Sequence, residues 1–294
     1  MIKKLIVILL ALFLFGCSEQ SALIFQDEAE GSITKFDNDT HGTYVSTYVP
    51  LPGKDTVIRN ATVFDGNGNK FLNYDVFFSQ GKISEMGRDL PIVGAEEIDG
   101  NGLFVTPGII DIHSHMGVYP APGVRTSSDG NEATSPNTAE VWAEHSVWSQ
   151  DPQYKLALAG GITTFHVLPG SANLFGGRGV TLKNVSANTV PDMKFPGAPH
   201  SLKMACGENP KRVYSSRGPS TRMGNVAGYR NAWIGAEKYK KSLDRNPSQR
   251  DLKNETLVGV LDGKILIQNH CYRADEMATM INICLLYTSP SPRD

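Results

Sequence analysis

After Lys3 and Lys4 the chain runs unbroken and apolar from Leu5 to Phe15. That run is shorter than the ~20 residues a membrane-spanning helix needs. Its order, positive then apolar, is that of an export signal. Residues 18 to about 50 are polar and rich in Thr and Asp, and Pro50 and Pro52 close them. They read as a tether and a lead-in segment. From Thr56 to Phe104, short β-like runs alternate with glycine turns. Thr56–Phe64 stops at Asp65-Gly66-Asn67-Gly68, and Val76–Phe78 and Lys82–Met86 flank Gln80-Gly81, a hairpin signal. The texture then changes. Phe104–Ile112 is apolar on both faces, the pattern of a buried strand. Tyr154–Ala159 reads as a helix closed by Gly160-Gly161. Ile162–Leu168, Val180–Lys183, Leu202–Ala205 and Lys264–Gln268 read as strands. Val226, Tyr229, Trp233, Ala236, Tyr239 and Leu243 recur at three- and four-residue steps with Arg230, Lys238 and Lys241 between them, an amphipathic helix. Leu257–Leu261 continues helically, and Ala274, Met277 and Ile281 mark a further helix. Alternating strands and helices predict a parallel α/β architecture. No repeat occurs at solenoid periods.

Composition narrows the class. Of 294 residues, 40% are hydrophobic and 20% charged, which is globular and excludes disorder throughout. Twenty-eight basic against 30 acidic residues leave a net charge of -2, which excludes a general nucleic-acid binder. Four cysteines are too few for a disulfide scaffold. Cys206 and Cys271 read as small packed side chains, since no pair has redox-motif or zinc-knuckle spacing.

The chemistry starts at residue 113. His113-Ser114-His115 directly follows the strand Ile109–Ile112. Residues i and i+2 of a strand share a face, so both imidazoles reach one cation from one strand end. A bare His-x-His is weak by itself. Here it closes an apolar strand after Thr106-Pro107-Gly108, and in barrel enzymes that strand end carries the catalytic groups. Asp111 lies two residues before His113 on the same face and is placed to orient a ligand. Gly176-Gly177-Arg178-Gly179 lacks the Lys and Ser/Thr of a phosphate loop and reads as a turn. His145 and His166 read as packing or surface residues.

Thr106-Pro107-Gly108-Ile109-Ile110-Asp111-Ile112-His113-Ser114-His115 resembles the first barrel strand of the amidohydrolase superfamily. Ala159-Gly160-Gly161-Ile162-Thr163-Thr164 is similar to its second-strand signature. Lys203–Arg212, Pro219–Gly224 and Asn269–Met277 resemble its imidazolonepropionase-like, prolidase-like branch. The likeness covers roughly residues 55 to 283. It implies an α/β fold, an incomplete (β/α)8 TIM barrel preceded by a small β-sandwich-like domain, with one or two divalent metal ions, zinc foremost. His113 and His115 match the strand-one ligands and His270 the strand-five ligand. Lys203, carboxylated in many relatives, matches the fourth-strand ligand; Glu208 is the alternative. Such an ion lowers the pKa of its water to about 7 and polarises a carbonyl. The implied reaction is cleavage of a C–N bond in a small cyclic amide or blocked dipeptide, with a small molecule as the only substrate partner. A deacetylase or phosphotriesterase-like hydrolase, and a non-catalytic periplasmic binding lipoprotein, are the alternatives. Arg212, Tyr214, Arg217 and Arg222 follow the fourth strand; Arg212 and Arg222 are the candidates for a substrate carboxylate, against a plain reading as solvated loop charge.

Leu14-Phe15-Gly16-Cys17 resembles a bacterial lipobox, which implies an exported protein lipid-anchored at Cys17, with Ser18 implying the outer membrane facing the periplasm. The expected organisation is a leader at 1–16, a tether at 17–54, a β-domain at 55–105 and a barrel portion at 106–283. Barrels of this kind average about 250 residues. The family pattern adds a sixth-strand His and an eighth-strand Asp base; no His follows His270, and neither Asp275 nor Asp294 fits. The run from Cys284 to Asp294 breaks the helical pattern and resembles translated adapter sequence. The expectation is a native sequence ending near Ile283, a non-native tail at 284–294 and a fragment inactive alone.

Overall fold

The computed structural model describes residues 45–287. The leader, Cys17 and the tether up to residue 44 lie outside the described residues, as do 288–294. No helix among the described residues is long and apolar enough to cross a membrane.

β1 (Thr56–Phe64) pairs antiparallel with β2 (Lys70–Ser79), and β2 with β3 (Lys82–Gly87). Gln80 and Gly81 both take positive φ, 52° and 75°, as a tight hairpin requires. At the β1–β2 turn, the Asp65 carboxylate accepts from the backbone N–H groups of Asn67 and Asn69. β4 (Glu96–Asp99) and β5 (Phe104–Val105) run parallel to β1 on its other side. The result is one five-stranded sheet over a core of Ala61, Val63 and Val76. The expected sandwich is therefore corrected: among the described residues no second sheet faces it. Arg59 fastens the sheet instead, bonding Asp75 at 2.9 Å and the carbonyl of Leu90 at 2.7 Å.

The second sheet has the order β10-β9-β8-β7-β6. β6 (Ile109–Ser114) lies parallel to β7 (Ile162–Val167), and β9 (His200–Ala205) parallel to β10 (Ile265–His270). β8 (Phe175–Lys183) is antiparallel to both β7 and β9. This corrects the all-parallel expectation. A parallel return needs a crossover of about a dozen residues or more, and the short connection 168–174 turns the chain back beside itself. Gly176–Gly179 belongs to β8, not to a turn. Its glycines answer crowding by neighbours: a Cβ on Gly177 would lie 2.4 Å from the Val141 carbonyl oxygen, and one on Gly179 2.5 Å from Ser201 Oγ. Ile109 and Ile112 are exposed, although the pattern predicts a strand buried on both faces. β6 has a strand neighbour on one side only among the described residues, so its other flank stays uncovered.

Helices cover the β9–β10 side. α1 (Gln153–Ala159) precedes β7; α2 (Glu208–Val213), α3 (Arg222–Leu243) and α4 (Leu252–Leu261) bridge β9 to β10; α5 (Ala274–Tyr287) follows. Thr221 caps α3, its hydroxyl oxygen accepting from Gly224 N. The predicted stripe of α3 is the buried one: Tyr229, Trp233, Ala236 and Tyr239. Trp233 and Tyr229 meet Phe175 edge-on at 5.3 and 5.8 Å. α5 runs through Cys284 to Tyr287, past the expected break; Tyr287 packs against the core that α3 builds.

Cys206 and Cys271 form a disulfide across 65 residues of sequence. This corrects their reading as packed thiols. Sequence spacing cannot reveal the pair, because β9 and β10 become neighbours only through the α2–α4 crossover. Closing a loop of that length restricts the unfolded chain by an amount worth about 4 kcal/mol in the chain-entropy view.

Candidate metal centre

Three strands deliver the candidate residues to one end of the second sheet. β6 carries His113 as its penultimate residue, with His115 one residue beyond its end. β9 carries Lys203 and β10 ends on His270. The parallel register of β9 and β10 sets Lys203 opposite Gln268 and Ala205 opposite His270.

The contacts are specific. The rings of His113 and His115 meet edge-on with centroids 5.3 Å apart. Lys203 is fully buried, 0% exposed, and its Nζ lies 3.0 Å from His113 Nε2. His115 Nδ1 lies 2.8 Å from the Leu168 carbonyl oxygen. A carbonyl only accepts, so His115 carries its proton on Nδ1 and offers the Nε2 lone pair. His270 Nδ1 lies 3.0 Å from Ser171 Oγ. The opposite atom, His270 Nε2, is buried without a hydrogen-bond partner among the described residues. The Asp111 carboxylate accepts from the backbone N–H of His113 at 3.1 Å, a contact to the main chain and not to either imidazole ring.

Electrostatics favour neutral rings. Burial, then the charge of Lys203, pushes the pKa values of His113 and His270 below the usual imidazole range. Burial also lowers that of His115. Asp111 opposes this at His113 and His115 as a nearby negative charge. Burial alone pushes Lys203 down to about 8. The cluster thus holds three imidazoles and one amine that shed protons readily, the state in which such groups bind metal.

Whether a divalent ion fits can be tested on these atoms. Among the described residues no three His, Cys, Asp or Glu side chains by themselves form a set that could hold a metal ion. The fourth group here is Lys203, an amine rather than a carboxylate. The donor chemistry nevertheless fits: His115 offers a neutral Nε2, His270 Nε2 is buried without a partner among the described residues, and the buried Lys203 amine touches the exposed His113 ring.

The remaining candidates fall outside this cluster. Glu208 is exposed at the first position of α2 and is not among the charges acting on His113 or His270. Arg212 is exposed on α2. Arg222 at the start of α3 is engaged by the buried Glu276 of α5, Nε to Oε1 2.6 Å. Tyr214 is buried and donates to the Ser135 carbonyl at 2.7 Å. His166 is held between the hydroxyls of Thr181 and Ser201, a packed residue as expected. His145 stacks on Trp142 with centroids 5.7 Å apart. Ser171 and the Leu168 carbonyl were not legible as site groups in the sequence. The available signal was their place directly after β7, the strand beside His113. A cavity of about 510 Å³ opens beside this end, lined in part by Val118, Trp142, His145 and Pro169; none of the four clustered residues lines it.

No family model matches the chain. Among known proteins it is similar to amidohydrolase tasK of Hapsidospora irregularis, 30% identical over 283 residues, covering 80% of this chain and 28% of that protein. It is also similar to a dihydroorotase of Pelotomaculum thermopropionicum, 40% identical over 60 residues, 20% of this chain and 14% of that enzyme. Among solved structures, an amidohydrolase from Thermotoga maritima superposes with a TM-score of 0.73 at 38% identity, covering 79% of this chain and 62% of that one. The chain thus matches less than two thirds of the length of each of these relatives, from 14% of the dihydroorotase to 62% of the Thermotoga chain.

Proposed function

We propose, from the amidohydrolase-superfamily assignment that these relatives support, that the chain is the metal-site portion of a hydrolase cleaving C–N bonds in small cyclic amides. The activity is proposed for the protein at the full length of its relatives. One observation carries the reading: the fully buried Lys203, drawn from β9, touches the His113 imidazole of β6 at 3.0 Å. A lysine buried this way without a carboxylate partner is a poor structural choice and a good chemical one.

His113, His115, His270 and Lys203 would hold one or two divalent ions, zinc foremost. When bound, such an ion supplies Lewis-acid polarisation of the scissile carbonyl and a more acidic water. The chain's own residues do the rest. Leu168 fixes the proton of His115 on Nδ1, away from the site. Ser171 holds the His270 ring by its Nδ1. Asp111 anchors the backbone at His113 and its charge favours protonated imidazole only weakly against burial. Lys203, lowered to about 8, is uncharged in an appreciable fraction near neutrality. In that form it can add carbon dioxide, losing one proton to become a carbamate, and so supply the missing carboxylate. Dihydroorotase is among the relatives, which favours a cyclic amide over a linear one as the first substrate class to try.

The test is a titration of metal-free chain with Zn2+. Uptake of one or two ions, lost in His113→Ala and in His270→Ala, is the expected result. A chain that refuses Zn2+ in the presence of bicarbonate overturns the reading. Export and lipid anchoring at Cys17 belong to the same proposal and rest on the leader pattern. Labelled fatty acid should enter the wild-type protein in a bacterial host and be absent from Cys17→Ala.

A further inference from the structure

β10 is an edge strand among the described residues, and it alone brings His270 to the cluster. It is lightly held. Ile265 is buried, but Leu266 is 46% exposed and Asn269 lies at the surface. The His270 ring has one hydrogen-bond partner, Ser171. A covalent bond adds to the β9–β10 ladder at the functional end of the strand. Cys206, the first residue after β9, is bonded to Cys271, the first residue after β10. Cys206 N donates to the His270 carbonyl at 2.8 Å beside that bond.

Cys206 is buried, 3% exposed, so the bond is approachable from the Cys271 side. A cavity of about 160 Å³ is lined by Cys206, Gly207, Arg222, Asn225, Glu276 and Met280. The Arg222 side chain, 40% exposed, marks its outer side. Within it Asn225, 2% exposed, keeps its acceptor Oδ1 without a partner among the described residues, and Glu276 lines the same space, so this side favours a hydrogen-bond donor over a thiolate. Cys271, on the other side of the bond, is only half-buried.

We propose that Cys206–Cys271 is a reversible thiol–disulfide exchange site, and that its state sets how firmly His270 is held beside Lys203 and His113. The reductant is a dithiol. Its thiolate attacks the half-buried Cys271 Sγ, away from the Glu276 carboxylate 3.8 Å from Cys206 Sγ; the S–S bond breaks, and Cys206 leaves as a thiolate that takes up a proton. The second thiol of the reductant then attacks the mixed disulfide and releases Cys271 as a thiol. The protein gains two electrons and two protons, and the reductant ends as its own disulfide. Freed of the bond, the end of β10 frays, because an edge strand has ladder partners on one side only. The consequence for metal rests on the function proposed above; the mechanical part does not.

The metal-free chain, purified without reductant, should yield a linked peptide pair containing Cys206 and Cys271. Hydrogen exchange is then followed before reduction, after dithiothreitol and after reoxidation. Amides of Ile265–His270 should exchange about tenfold faster in the reduced chain, with β7 and β8 unchanged and protection restored on reoxidation. Cys206→Ser and Cys271→Ser should each show the reduced pattern and ignore dithiothreitol. Thiols at both positions in the native protein, unchanged protection of β10, or loss of protection across the whole sheet would each overturn the proposal. Zn2+ titration of the serine variants separates the two ideas. Binding about tenfold weaker than in the oxidised wild type is expected. Equal affinity overturns the exchange site as a control on the cluster. If β10 loosens and no form binds Zn2+, the metal reading falls and the exchange site stands.

Discussion

Lys203 shows what a single residue can disclose. It is fully buried, and burial lowers its pKa to about 8. The unfolded chain keeps its lysine protonated up to the ordinary value of 10.5. Between those values the unfolded state binds more protons, so stability rises with pH, and below pH 8 the whole penalty is present. Metal-free Lys203→Met should therefore be more stable than wild type at pH 7. Its advantage should shrink, by on the order of 3 kcal/mol, between pH 8 and 10.5 in urea titrations. The same substitution should abolish Zn2+ uptake, which a merely structural lysine would not affect. His166 works by the same logic in another range. Burial pushes it down to about 4 from 6.5, so its contribution is intact above pH 6.5 and is lost as pH falls towards 4. His166→Gln should flatten the acid limb of the stability profile by about 3 kcal/mol over that window.

At the scale of elements, α3 shows how pattern becomes position. Its apolar residues at three- and four-residue steps predict one buried face, and that face packs on Phe175 of β8. Trp233→Ala should lower stability by about 3–5 kcal/mol, read from the urea midpoint, because the ring is 1% exposed and cannot be replaced by collapse of its neighbours. β8 shows where pattern fails. Its first half, Phe175–Gly179, carries three glycines, whose side-chain signal is nil. The strand pairs with β9, and glycine stands at 177 and 179 because Val141 and Ser201 approach too closely for a Cβ, a fact of neighbours rather than of the segment. The hairpin at Gln80-Gly81 was legible because two residues set their own φ. The direction of β8 was not, because it depends on which strands flank it.

For the whole molecule, the site is an agreement among distant segments. His113, Lys203 and His270 are brought together by strands that are far apart in sequence, and a Cys206–Cys271 bond ties two of those strands. A ligand shared by them should stabilise the fold by mass action. Zn2+ at about 100 times its Kd should add about 2.7 kcal/mol, and a chelator should remove it. Thermal melts of metal-free chain with and without Zn2+ check this; no shift in Tm would argue that the cluster does not bind in the folded state.

Most strands and helices, the buried stripe of α3 and the His113/His115 pair on one strand end were readable along the chain; β4, α2 and the division of Phe104–Ile112 between two sheets were not. What was readable depends on local rules, period and turn chemistry, that a segment carries within itself. Nearness of Lys203 to His113, the Ser171 hold on His270, the antiparallel course of β8 and the Cys206–Cys271 bond were settled by assembly. They depend on which segments pack side by side, and that is decided by the burial of the chain as a whole, not by any stretch of it.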